Sequence, residues 1–215
     1  MKAKLVYLTA ILLTLSLFPS PSLATSQPMA ASASPRTVHE RTDFKFLSPG
    51  GRLPDDHSRE QLKNDTHEFF IEAPAELPPI ARTLRAGESI LIEYPNARSH
   101  VSRLSSACTQ SVTAAKPSKR RGRVSGSVEF VRTKGCYGNS SGYGRHFFRN
   151  RVGLWADGNG SKIPKLHPGI RLHISWWTKC RGTRSTNWRT QGAMRDTQNS
   201  SAITNSAPAK LRCTA

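Results

Sequence analysis

The chain has 215 residues, 32 Lys and Arg against 14 Asp and Glu, and a formal net charge of +18 at pH 7. No segment beyond residue 24 is apolar over the roughly 20 residues that a spanning helix needs, which excludes a helical integral membrane protein once the amino terminus is removed. Excess cation on this scale repels itself, so it points to a polyanionic partner or to retention at an anionic surface.

Lys2 and Lys4 precede an uncharged stretch, Leu5 to Phe18, which Pro19 and Pro21 break before Ser22-Leu23-Ala24. A charged start, a short apolar run and small residues at the end are the parts of a secretory signal peptide, predicted here as residues 1–24 with cleavage after Ala24. Residues 25–37 are Ser, Ala, Pro, Thr, Gln and Met with one Arg. They bury too little apolar surface to offset ordering and are expected to form a flexible leader.

Residues 38–87 form a mildly acidic segment in which the sequence predicts one short helix. Ser58 and Gln61 make a possible capping box before Leu62, Phe69 and Phe70, and Pro74, Pro78 and Pro79 end the pattern. From residue 88 the period changes to two, the mark of strands with one buried face. Candidate strands begin with Ile90, Ile92 and Tyr94 and continue at 99–106, 124–133, 146–155 and 169–180. The expected fold is mainly β: a small disulfide-stapled β-sandwich or barrel over residues 88–215, with the short helix before it and a polar, fraying tail after Cys180.

Cys108, Cys136, Cys180 and Cys213 are even in number and far apart, which fits two disulfides in an oxidising compartment. Three pairings are possible, and the shortest loops come from Cys108 with Cys136 and Cys180 with Cys213. No pair has the close spacing of a zinc or thioredoxin-type site, and no metal or cofactor is implied. The cysteine-bearing part also holds the charge. Residues 25–96 carry 8 Lys and Arg against 11 Asp and Glu, whereas residues 97–215 carry 22 against Glu129, Asp157 and Asp196 alone.

In the last candidate strand Ile170, Leu172, Ile174, Trp176 and Cys180 alternate with Arg171, His173, Ser175, Trp177 and Lys179. If Phe148, Val152 and Leu154 are inside, then Phe147, Arg149, Arg151 and Trp155 point out beside them. With Arg132, Lys134 and the loop Lys119, Arg120, Arg121 and Arg123, these residues predict a basic face with interleaved rings. A second buried layer would instead place Trp155 and Trp177 in a core. Phosphates release counterions to such a face and bases stack on its rings; sulfated glycans and cell-wall polymers suit the same chemistry. The expectation is therefore a secreted, extracellular binding protein whose partner is an anionic polymer, nucleic acid included, or a cell surface. The alternative is a secreted hydrolase or toxin resembling a ribonuclease in chemistry, with Glu129, Arg132 and His146, or Arg171 and His173, as acid, base and cation. Asp157-Gly158-Asn159-Gly160-Ser161 lacks the later residues of a calcium loop and reads as a turn.

Overall fold

The structure, a computed structural model, describes residues 34–46, 66–71, 75–196 and 201–215. The expected signal peptide, the leader up to residue 33 and the Ser58 capping box lie outside the described residues. Thirteen strands are described: β1 Arg36–His39, β2 Thr66–Ile71, β3 Ser89–Glu93, β4 Ala97–Arg103, β5 Thr109–Ala115, β6 Ser118–Arg120, β7 Arg123–Arg132, β8 Ser140–Arg149, β9 Trp155–Leu166, β10 Arg171–Lys179, β11 Gly182–Arg195, β12 Ser201–Asn205 and β13 Ala209–Thr214. They form two sheets. Sheet A runs β1-β3-β4-β5-β7-β10-β2 with β6 on β7, and sheet B runs β12-β11-β8-β9 with β13 also on β11.

The sheets pack face to face as a sandwich, and a closed barrel is not formed. Val112, Ala114, Val128, Phe130, Leu172, Ile174 and Trp176 of sheet A meet Ile163, Leu166, Met194 and Ala202 of sheet B in the main core. Close approach depends on glycine. A Cβ at Gly144 would lie 2.4 Å from the Trp176 ring, and one at Gly192 would lie 2.7 Å from Val128. The bulk that fills the core thus comes mostly from sheet A, while sheet B offers bare backbone to receive it.

That asymmetry explains the strands that periodicity misses. Along β11 the inward positions are Trp188, Thr190, Gly192 and Met194, so the apolar signal is faint although all four are buried. The expected fraying tail is corrected accordingly: β11 is a central strand of sheet B, with β12 and β13 beside it. β5 is missed for the opposite reason. Its first six residues are all buried, because both its faces are covered, so no alternation survives. The expected strand at 146–155 is a hairpin instead, β8 ending at Arg149 and β9 starting at Trp155. Val152 and Leu154 are consequently at its tip and exposed, not in the core.

No helix precedes the sheets among the described residues. Phe69 and Phe70, expected in that helix, lie in β2, which closes the edge of sheet A on β10, and a short 3-10 turn at Pro79–Thr83 follows. Thr, Phe and Ile suit an extended chain better than a helix once an open sheet edge is available. Arg36 and Thr37, expected in the leader, begin β1, which pairs parallel with β3.

The segments before β3 make a third, partial layer on the outer face of sheet A. Leu77, Ile80, Ala81 and Leu84 cover Ile90, Ile92 and Val101. Polar clips fix them: the Asn96 side chain accepts from the Phe44 amide at 2.8 Å and donates to the Phe44 carbonyl at 3.0 Å, and the Arg103 guanidinium donates to the Leu84 carbonyl at 2.7 Å. Both expected disulfides are present, Cys108–Cys136 joining the ends of the β5–β7 region and Cys180–Cys213 tying β10 to β13 across the two sheets. No helix among the described residues is long and apolar enough to cross a membrane.

Candidate functional site

The alternation along β8 continues further toward the amino terminus than its strongest apolar residues suggest. Gly142, Gly144 and His146 point inward, so Tyr143, Arg145, Phe147 and Arg149 share the outer face of sheet B. Register adds neighbours from both sides: Arg149 is opposite Trp155, Phe147 opposite Asp157, and Arg189 of β11 opposite Phe147. The guanidinium carbons lie over rings. Arg189 is 4.3 Å from the centroid of Trp155 and 5.2 Å from that of Phe147; Arg149 is 5.3 Å from Trp155; Arg145 is 5.0 Å from Tyr143.

Charge neutralisation on this face is slight. Arg145 meets Asp157 at 3.3 Å in an exposed pair, while Arg149 and Arg189 make no ion pair among the described residues. Partial burial, then the nearby charge of Arg149, lowers the pKa of Arg189, which is what an unpaired cation held against rings and a like charge should show. A guanidinium on a ring keeps its N–H groups free in the plane, ready for oxyanions from outside. Of this set Arg149, Phe147 and Trp155 were expected from sequence, whereas Tyr143, Arg145 and Arg189 were not. Extending the period-two pattern back from Phe147 to Tyr143 would have found the first two, but Arg189 needs the strand pairing.

The remaining predicted residues divide into three places. Lys119, Arg120, Arg121 and Arg123 form the β6–β7 hairpin and are exposed; Arg121 and Gly122 turn it with φ of 48° and 72°. The Lys119 ammonium donates to the Arg212 carbonyl at 2.5 Å, so it is partly spent on anchoring β13. Arg123 lies 4.0 Å over the half-buried Trp177 ring and opposite exposed Lys179, making a second, smaller cation-and-ring cluster at one end of sheet A. Arg151 stands apart at the tip of the β8–β9 hairpin.

Arg171 and His173 belong to the third place, and here the expected charged surface is corrected. Both lie on the outer face of sheet A, but beneath the amino-terminal layer. His173 is 6% exposed with the Phe46 ring 4.8 Å away, and Arg171 pairs with buried Glu129 at 3.2 Å and with Glu76 at 3.8 Å. Arg132, also expected outside, is buried and donates to the carbonyls of Leu166, Gly138 and Tyr137. A cavity of about 520 Å³ borders this region, lined by Glu40, Glu76, Glu129, Arg171, Tyr94 and Thr113 among others. Desolvation, with the charges of Glu40 and Glu129, pushes the Tyr94 hydroxyl up to about 12.

Of the two catalytic sets drawn from sequence, Arg171 and His173 share the covered face with Glu129, but Glu129, Arg132 and His146 do not converge. His146 is fully buried between the sheets, its ring 5.3 Å from Trp176 and 5.7 Å from Trp188, with Nδ1 3.2 Å from the Thr178 hydroxyl. Burial lowers its pKa to about 3, so it is neutral and out of reach of a polymer. Glu129 faces the opposite side of sheet A, where His173 is its cross-strand partner. Among the described residues no group of three His, Cys, Asp or Glu could hold a metal ion. No family model matches this chain, and no curated protein does.

Proposed function

We propose that this protein is a secreted binding module whose outer face of sheet B engages an anionic polymer by charge. One observation carries the reading: Arg145, Arg149 and Arg189 are fixed over Tyr143, Phe147 and Trp155, and two of the three have no carboxylate partner among the described residues. Rings that hold guanidiniums in place reduce the entropy lost when an oxyanion binds. They are also capped by those guanidiniums, so a base would have to displace an arginine to stack. Recognition through phosphate or sulfate groups fits better than recognition of bases. The two disulfides suit the oxidising surroundings in which such polymers are met.

The rival reading, a hydrolase acting on RNA, has its best support in the Glu129, Arg171 and His173 cluster beside the 520 Å³ cavity. Glu40, Glu76 and Glu129 line that cavity against one arginine, and the sign is wrong for a phosphodiester. Binding without turnover is the reading retained.

The test is elution in rising salt from heparin, nucleic-acid and cell-wall matrices. Arg145→Gln/Arg149→Gln/Arg189→Gln should elute earlier everywhere, with a log–log salt slope shallower by about 2. Lys119→Gln/Arg120→Gln/Arg121→Gln should change the slope less. An unchanged slope in the first variant would sink the proposal, as would cleavage products from labelled RNA that vanish in His173→Ala.

A further inference from the structure

The tip of the β8–β9 hairpin combines two features that a polymer-binding face has no use for together. Val152 is 78% and Leu154 66% exposed. Looseness is not the cause, because the turn is tightly bonded. The Asn150 side-chain oxygen accepts from the amides of Val152 at 3.1 Å and Leu154 at 2.9 Å, and the Asn150 amide donates to the Leu154 carbonyl at 2.8 Å. Gly153 sits at φ 81°, a left-handed position that suits glycine, and its carbonyl accepts from Arg149 at 3.0 Å. Two aliphatic side chains are therefore held out in water by a built turn.

Directly behind them is a cavity of about 620 Å³ lined by Arg149, Arg151, Arg181, Arg184 and Lys210, five cations against the single terminal carboxylate of Ala215 and no Asp or Glu side chain. Trp155, the next residue after the tip, is half-buried against Arg189. A soluble polyanion would meet the cations but leave Val152 and Leu154 in water. A neutral apolar partner would bury the aliphatics and strand five cations. A bilayer with anionic lipid satisfies both sets at once, since acyl chains lie a few ångströms below a plane of phosphates, and tryptophan favours that boundary.

We propose that the β8–β9 hairpin docks on an anionic lipid surface, with Val152 and Leu154 entering the headgroup boundary and a lipid phosphate taken up by the cationic pocket behind them. This surface is carried by different residues from the ring-capped face of sheet B, apart from Arg149 and Trp155, and it stands whether or not that face binds a polymer.

The experiment is co-sedimentation with phosphatidylcholine vesicles, alone and with about one quarter phosphatidylserine. Wild-type protein should bind the anionic vesicles and leave the neutral ones. Val152→Ser/Leu154→Ser, which removes no packing contact in the core, should weaken that binding on the order of 100-fold while heparin retention and thermal unfolding stay as in wild type. Arg151→Gln/Arg184→Gln should weaken it about 10-fold. Anionic vesicles that bind the Val152→Ser/Leu154→Ser protein as well as wild type, or that bind neither, would overturn the proposal. The heparin arm keeps that failure distinct from a failure of polymer binding.

Discussion

Arg171 on the outer face of sheet A and Arg189 on the outer face of sheet B stand at comparable positions, each in a strand whose other face fills the same core. What covers them differs. Arg171 lies under the amino-terminal layer and is matched by Glu129 and Glu76, whereas Arg189 has rings beside it and no acid paired with it among the described residues. A cation neutralised inside the fold is costly to leave without its partner and is closed to a ligand. One braced by quadrupoles keeps most of its charge for whatever arrives. Among the described residues, Glu40, Glu76 and Glu129 gather on the covered side, beside Arg171.

Three measurements press on that contrast, in falling order of effect. Replacing Cys180 and Cys213 with serine unties the two sheets at their shared end and should cost about 3 to 4 kcal/mol by the loop-entropy estimate for a separation of 33 residues. Hydrogen exchange should then rise first in β11 and β13, because Cys213 packs with Trp188 and Val124 there. Uniform acceleration across both sheets would mean that the disulfide does not divide them. Glu129→Gln is the test of the covered face: it leaves Arg171 under-compensated beneath residues 40–46 and should lower stability by about 3 kcal/mol in denaturant melts, with no change in polymer retention. A loss of retention without a loss of stability would reverse the assignment of the two faces.

Acid should act on the interior that both faces share. The folded pKa of His146, about 3, lies below its ordinary value of 6.5, so the unfolded chain binds the extra proton first. Stability is then full above about 6.5 and falls as pH drops towards 3, with a slope of at most ~1.4 kcal/mol per pH unit from this one group. His146→Gln should flatten that part of the pH–stability curve. An identical slope in the variant would place the acid sensitivity elsewhere.

Disulfide pairing and β character follow from local chemistry and are legible in the sequence. The Cys108–Cys136 and Cys180–Cys213 pairs close the shortest loops, and the alternation of Ile90 and Ile92 or of Leu172, Ile174 and Trp176 records a buried face directly. The helix expected around Phe69 and Phe70 failed because a strand edge elsewhere in the chain, β10, was there to be paired. β11 was hidden because the bulk in its part of the core is supplied from sheet A, so that Thr190 and Gly192 suffice on its own side.

Sequence by itself determined that cations and rings would alternate in this chain, since a period of two puts them on one side of any strand they occupy. Which of those sides would be open was decided only by the tertiary structure. Covering depends on where distant segments come to rest, and residues 40–46 and 75–83 come to rest on sheet A because its outer face carries Ile90, Ile92 and Val101, while the rings on the outer face of sheet B, Tyr143, Phe147 and Trp155, are capped by arginines.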